Sequence, residues 1–325
     1  RKLGQRSWQP DRAMIAQHAA QMLLALLLEA ALGWPAPLFR LVGHPVSWLG
    51  RLIAAGDRAW NRESARFGHR RMAGVVLALG VIALAWSVGW AASRLLPQGW
   101  LGIVIGGVLA WPLVAARSLH DHVAAVALPL AQGDLTGARF AVSMIVGRNP
   151  DALDEAGIAR AAAESLAENT SAGVVAPRMW GVILGLPGIA AYKAINTLDS
   201  MIAYRTPRHR AFGWAAARID DLANLIPARL SGLLYVVAGG RSMAWRVMIA
   251  DARHHRSPNA GWPEAGFAGA LGIRLSGPRL YAEGPSQDAW LNEAGHDPGA
   301  QDLRRGLALF RRVVALAGLI LLALW

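Results

Sequence analysis

The sequence predicts an all-α, polytopic integral membrane protein with a helical body on the cytoplasmic side. Three observations carry that expectation. The 325 residues are 54% apolar and only 17% charged, against about 25% charged in ordinary soluble domains. The apolar residues gather in uncharged runs of spanning length. The 33 Lys and Arg outnumber the 21 Asp and Glu, for a net charge of +12, and many of the arginines flank those runs, as the positive-inside rule describes. A disordered chain is excluded, because it needs low hydrophobicity and high charge. The absence of cysteine excludes disulfides, thiolate metal sites and thiol nucleophiles.

The first candidate span, Ala13–Leu32, is interrupted by His18, Gln21 and Glu29. It is too long for the apolar core of a secretory signal, and no small-residue cleavage site follows it. Glu29 is either a functional acid or a carboxylate reaching the interface from a helix end. Residues 34–71 follow as a basic loop with Arg40, Arg51, Arg58, Arg62, Arg66, Arg70 and Arg71. Met72–Ala92 is 21 residues without a charge, enough helix to cross a hydrocarbon core of about 30 Å. A turn with Arg94 and Pro97 leads into Gly99–Ala116, which completes a transmembrane hairpin. Trp86, Trp90 and Trp100, among 14 tryptophans, take interfacial positions. Lys/Arg counts place 34–71 and everything after Ala116 in the cytoplasm, although Arg1, Lys2, Arg6 and Arg12 weigh the other way.

Residues 117–302 form the helical body. Asp134 reads as an N-cap, and Asp154–Glu168 has helical period and composition. No run alternates with period two, so little or no sheet is expected. Segments 174–191 and 222–239 have spanning length but carry Pro177, Arg178, Pro187, Pro227 and Arg229. They are read as membrane-embedded, buried or half-inserted helices, since one crossing would part the polar clusters on either side; the alternative is that both cross as a pair and leave 193–221 outside. The chain closes with a span at 303–325, whose Arg311 and Arg312 snorkel to the interface.

The chemistry lies in polar clusters beside the apolar segments. Arg117 and Asp121 are four apart in RSLHDH, which taken alone is a helix-end ion pair. Glu164 and Glu168 share a helix face in ESLAEN, where like charges repel unless a cation lies between them. Asn196 and Asp199 share a face in NTLDSM, behind Lys193. Asp220, Asp221 and Asn224 stand together in ARIDDLAN, beside Arg218 and ahead of Arg229. Two adjacent acids beside an apolar helix are costly, and oxygen-only donors of this kind suit Mg²⁺ with phosphates. The Pro/Gly-rich loop Ser257–Glu264 contains Asn259 and suits phosphate or amide recognition. There is no phosphate-binding GxxxxGK[ST] loop, no HExxH zinc helix and no GxSxG elbow. No basic stripe carries aromatic platforms, so nucleic acid is not an expected partner. The residues alone therefore point to a membrane protein handling a phosphorylated ligand with Mg²⁺.

In order, Arg117–His122 (RSLHDH), Gly147–Pro150 (GRNP), Glu164–Asn169 (ESLAEN), Asn196–Met201 (NTLDSM), Phe212-Gly213, Ala217–Asn224 (ARIDDLAN), Pro227–Leu230 (PARL) and Ser257–Glu264 (SPNAGWPE) resemble the CobD/CbiB family of cobalamin-biosynthesis proteins. The resemblance runs from about Leu28 to Tyr281. It implies an inner-membrane ligase, adenosylcobinamide-phosphate synthase, with its catalytic body facing the cytoplasm. Such an enzyme joins the carboxylate of adenosylcobyric acid, a corrinoid, to (R)-1-amino-2-propanol or its O-phosphate, with ATP as co-substrate and Mg²⁺ as cofactor. Carried onto this chain, it makes Asp199, Glu164 and Lys193 catalytic, with Asp199 as base. Asp220, Asp221 and Glu168 would hold the metal. Arg117, Arg218, Arg229, Asn169, Asn196, Asn224, Ser257 and Asn259 would bind substrate or phosphate. Membrane lipid is an implied partner, and a homo-oligomer or other enzymes of cobalamin biosynthesis are further ones. Two positions depart from the family pattern: Gly33-Trp34-Pro35 stands where Gly-Asp-Pro is usual, and Ala172-Gly173 lacks an aspartate. Those lost acids leave a second reading open, a non-catalytic membrane scaffold or corrinoid-binding paralogue.

Overall fold

The computed structural model describes residues 12–146, 151, 153–281 and 284–325. The GRNP motif and Arg1, Lys2 and Arg6 lie outside them. The described chain is overwhelmingly helical. Its helices are α1 (Arg12–Leu32), α2 (Ala36–Val42), α3 (Pro45–Trp60), α4 (Phe67–Leu95), α5 (Trp100–Ala110), α6 (Ala116–Ala131), α7 (Leu135–Ser143), α8 (Glu155–Asn169), α9 (Ala176–Ile202), α10 (Trp214–Ala223), α11 (Leu225–Gly239), α12 (Ser242–Asp251), α13 (Gly261–Leu271) and α14 (Ala300–Leu324). Two short antiparallel pairs are the sheet: β1 (Leu275–Ser276) with β4 (Trp290–Leu291), and β2 (Arg279–Tyr281) with β3 (Gly284–Ser286).

Among the described residues, five helical stretches are long and apolar enough to cross a membrane: Arg12–Leu32, Phe67–Leu95, Trp100–Ala131, Glu155–Ile202 and Ala300–Leu324. The pair α10 and α11, bent by 48°, adds a broken span or a re-entrant loop. The apolar windows of α4 and α14 are only 33% buried, whereas that of Glu155–Ile202 is 72% buried. The outer helices thus show lipid an apolar surface, with Val76, Leu79, Leu84 and Val88 exposed on α4. Trp86, Trp90 and Trp100 are exposed, and the Arg94 guanidinium lies 5.7 Å from the Trp90 ring.

Two expectations need correction. The run 99–116 is not one helix. It stops at Ala110, makes a 3₁₀ turn over Trp111–Leu113 and restarts at Ala116, because Pro112 has no N–H to extend the ladder. Segment 34–71 is not an irregular loop either. It contains α2 and α3, and Pro45 opens α3 where its missing N–H costs nothing.

Breaks in apolar helices leave backbone groups that lipid cannot satisfy. Several are answered by a group from another element. Pro177 has no N–H for the Gly173 carbonyl, and the Ala115 N–H donates to it instead at 3.0 Å. Pro227 likewise frees the Ala223 carbonyl, and Trp180 Nε1 donates to it at 3.1 Å. Gly185 breaks α9 with φ +68°, and His18 Nδ1 lies 3.1 Å from the freed Val182 carbonyl. At the start of α6, Glu29 accepts from the N–H groups of Ala116 (2.7 Å), Arg117 (2.7 Å) and Ser118 (3.3 Å). Glu29 is therefore neither snorkelling nor exposed: it is buried and caps a helix from outside.

Arg274 and Arg160 both donate to Asp297, and both stack on Trp290, 4.6 and 4.7 Å from the ring. This joins α8 to the segment that carries β1 and β4.

Two outcomes follow from these contacts. Glu29→Ala strands three N–H groups and removes the carboxylate facing the buried Arg178 and Lys193, so it should lower unfolding stability by about 3–5 kcal/mol, read as a lower thermal midpoint in detergent. The second concerns acid. Hydrogen bonds from Arg274, then Arg160, push the Asp297 carboxyl down to about 2. Its contribution is complete above the ordinary aspartate value of about 4 and is lost as pH falls through about 2. The wild-type midpoint should drop over that interval more steeply than that of Asp297→Asn.

Candidate functional site

The end of α8, the end of α9 and the middle of α10 bring four carboxylates into one field. Asp199 is acted on by the charges of Asp221 and Glu168, and Asp220 by those of Asp199, Asp221 and Glu168. Segments well separated in sequence thus meet at one place. Asn224 fixes the meeting, at the break between α10 and α11. Its Oδ1 accepts from the Tyr192 hydroxyl of α9 at 2.8 Å, and its Nδ2 donates to the Asp220 carbonyl at 3.1 Å. The Ser257–Glu264 loop docks on the same turn, with Asn259 Nδ2 donating to the Asp221 carbonyl at 2.7 Å. Arg218 Nη1 donates to Asp221 Oδ2 at 3.2 Å, and Arg205 adds a second positive charge near Asp221. Gly213 lets α10 approach, since a Cβ there would lie 1.6 Å from the Ile202 carbonyl oxygen.

Like charges held together at a half-buried site call for a counter-cation. Asp220 Oδ1 is buried with no hydrogen-bond partner. The donors are all oxygen, and the acids outnumber the cations beside them. These features fit Mg²⁺ and not a thiolate or imidazole metal. Among the described residues, no three His, Asp or Glu side chains are grouped closely enough to hold an ion by themselves. That is the usual condition of Mg²⁺ sites, where one or two carboxylates act with water and substrate phosphates.

Other expected site residues are placed elsewhere. Glu164 lies one turn from Glu168 but is buried, and it accepts from the Ser276 N–H at 2.8 Å, tying α8 to β1. Lys193 is six residues before Asp199 on α9 and so faces another way. It lines a separate cavity with Glu29. Arg117 donates to the Ala31 carbonyl and lies 3.5 Å from Asp121. Arg229 donates to the Leu225 carbonyl at 2.6 Å and stacks on Trp262. Of the expected phosphate-clamping cations, only Arg218 stands at the carboxylates. Asn169 donates to its own helix at the Ser165 carbonyl, 2.9 Å away. Asn196 stays on the Asp199 face and is half-buried. Ser257 Oγ accepts from the N–H groups of Asn259 and Ala260 at 3.3 and 3.2 Å, so it shapes the loop.

The sequence reading missed Tyr192, Trp180 and Arg205. Tyr192 was detectable in principle, being two turns before Asp199 on one helix face. Trp180 and Arg205 act through tertiary approach, which leaves no local pattern. Of the two departures from the family pattern, Trp34 donates through Nε1 to the Gly43 carbonyl at 3.2 Å and lines the Lys193 cavity. Ala172 sits in the π-helical turn Thr170–Val175.

The fold and site together define a polytopic helical membrane protein with a half-buried acidic cluster. A family model described as CobD/Cbib protein matches residues 22–310. The chain is 59% identical over 298 residues to the cobalamin biosynthesis protein CobD of Rhodobacter capsulatus, covering 91% of this chain and 94% of that one. It is 47% identical to the protein of that name from Brucella suis (92% and 95% covered) and 43% identical to that of Rhizobium meliloti (91% and 94%). The chain belongs to the CobD/Cbib family. No solved structure matches it.

Gly213→Ala forces α10 away from Ile202 and should cost about 1–3 kcal/mol by overpacking. A thermal midpoint equal to wild type would contradict this account of the helix approach.

Proposed function

We propose that this chain acts in cobalamin biosynthesis as a membrane-bound, ATP-dependent amide ligase. The substrates are the carboxylate of adenosylcobyric acid and the amine of 1-amino-2-propanol or its O-phosphate. The observation that carries the reading is the meeting of Glu168, Asp199, Asp220 and Asp221 in one field, in a chain of this family.

A carboxylate and an amine form no amide unactivated at neutral pH. Transfer of the ATP γ-phosphoryl group to the substrate carboxylate gives an acyl phosphate and ADP. The amine then attacks the acyl carbon, loses a proton and expels phosphate. Asp220, with Glu168 and Asp221 beside it, would hold Mg²⁺, which supplies positive charge to the ATP phosphates. Arg218, paired with Asp221, would contact the transferred group, with Arg205 beside it. Asp199 is the base that takes the amine's proton. Asn259 and Asn224 hold the acidic turn in place. The catalytic body faces the cytoplasm of the inner membrane in this proposal, which the arginine distribution supports.

A second reading, a corrinoid-binding scaffold without turnover, is favoured by Trp34, an apolar residue where the family pattern has an acid. One assay separates the two. Protein purified in detergent is incubated with adenosylcobyric acid, aminopropanol phosphate and Mg-ATP, and cobinamide phosphate and ADP are measured. The ligase forms both in equal amounts. Asp199→Asn and Asp220→Asn should each lower turnover by about 10²-fold or more. Full activity in both variants would overturn the assignment, and binding of corrinoid without product would favour the scaffold.

A further inference from the structure

The segment between the first two long apolar helices carries charge and apolar surface that the ligase reading does not use. Helix α1 ends at Leu32 and α4 begins at Phe67, and both are long and apolar enough to cross a membrane. A chain that leaves the bilayer after one and re-enters at the other keeps α2 and α3 at one interface. The only acids between them are Asp57 and Glu63, and both turn to Arg208, which donates to Asp57 Oδ2 at 2.7 Å and lies 3.9 Å from Glu63. Arg70 and Arg71 are also committed, to Asn61 Oδ1 at 2.8 Å and to the Trp214 ring at 3.7 Å. Arg40, Arg51, Arg58, Arg62 and Arg66 are different. All five are exposed, and among the described residues none of them pairs with a carboxylate.

The two faces of α3 have separate tasks. Leu49, Ile53 and Gly56 face the protein, and a Cβ on Gly56 would lie 2.4 Å from a Leu77 methyl on α4. Trp48, Leu52, Ala55 and Ala59, at helical spacing on the opposite face, are all exposed. Arg51 and Arg58, one and two turns along, edge that apolar stripe. Helix α2 buries no residue, and its Leu41 is 81% exposed beside exposed Phe39 and Val42. The elbow between the helices is fixed, since Trp48 Nε1 donates to the Val42 carbonyl at 3.0 Å and Trp34 Nε1 to the Gly43 carbonyl at 3.2 Å. Apolar side chains beside arginines on one outward face are the pattern of a helix lying in the headgroup layer.

We propose that the outer face of α2 and α3 is a docking surface for anionic phospholipid of the surrounding bilayer. Phe39, Leu41, Trp48 and Leu52 enter the acyl boundary, and Arg51, Arg58 and Arg62 contact headgroup phosphates. Charge complementarity selects the occupant: the arginines have no acid to neutralise them, and an anionic headgroup supplies the missing charge. A zwitterionic headgroup does not, because its own ammonium already balances its phosphate. The surface also adjoins the acidic cluster, since Asp57 at the end of α3 holds Arg208, three residues from the Arg205 that lies near Asp221. The proposal does not rest on the ligase reading, because its test measures lipid and not turnover.

The chain has no cysteine, so Ala55→Cys carries a single fluorophore on the exposed face of α3. The labelled full chain is placed in phosphatidylcholine nanodiscs that contain a small fraction of lipid brominated on its acyl chains. That lipid is either phosphatidylcholine or phosphatidylglycerol, and quenching of the fluorophore is measured. Brominated phosphatidylglycerol should associate about fivefold more tightly than brominated phosphatidylcholine. The preference should shrink in high salt and fall to near unity when Arg51→Gln, Arg58→Gln and Arg62→Gln are combined, three exposed positions at which the fold is retained. A label at Leu84→Cys, exposed in the middle of α4, should show no preference. Absence of quenching by either lipid overturns the proposal, because the face then lies away from the bilayer. Equal quenching by both lipids overturns it too, as does a preference that survives in the triple variant or is as large at Leu84.

Discussion

A single carboxylate at the end of α1 sets the arrangement of the helices around it. Glu29 accepts from three consecutive N–H groups at the start of α6, a helix whose own N-cap residue, Ala115, has no side chain that could do so. A helix that starts inside an apolar body must have its first donors satisfied by some other element. Because the acceptor here belongs to α1, the register of α1 against α6 is fixed by that contact. The same carboxylate faces Lys193 and Arg178 of α9, so three helices are located by one side chain.

The same constraint explains the placement of the other broken helices. Prolines at 177 and 227 and the left-handed Gly185 each interrupt a ladder, and each freed carbonyl is met by a donor from a distant element. The break at Asn224 has a chemical consequence. It bends α10 away from α11 by 48° and turns Asp220 and Asp221 toward the ends of α8 and α9. The irregular backbone lies where the polar groups are gathered, the condition under which it is tolerated at membrane depth.

The candidate spans at α1, α4 and α14 were legible in the sequence because long, mostly apolar runs of spanning length stand out even where single charges interrupt them. The N-cap Asp134 was legible, and its side chain accepts from the Gly137 N–H; Asp154 caps α8 in the same way, where the sequence showed only a helical period. Glu168, Asp199, Asp220 and Asp221 could be named as candidates because acids beside apolar helices are costly and rarely incidental. Their meeting could not be read, since it depends on the Tyr192–Asn224 and Asn259–Asp221 hydrogen bonds between distant segments. The roles of Glu29 and Glu164 were hidden for a related reason. Each accepts from backbone N–H groups far away in the chain, and a backbone donor has no signature in the side-chain pattern. Arg117 and Arg229 looked like phosphate clamps, yet each is turned onto a carbonyl. An arginine motif does not distinguish the two fates.

Helix α9 separates two kinds of electrostatic environment. Lys193 and Asp199 are six residues apart, which is about 9 Å along the axis and about 240° around it. The ammonium looks toward the α1–α6 junction, and the carboxylate looks toward α8 and α10. Had the two groups faced each other, they would have formed a buried ion pair and cancelled each other's field. Set apart on one rigid helix, each stays available to a ligand of opposite charge. The break in α9 at Gly185 lies beyond Lys193 on the side away from Asp199. The segment between the two charged groups contains no such break, so their spacing is fixed by unbroken helix.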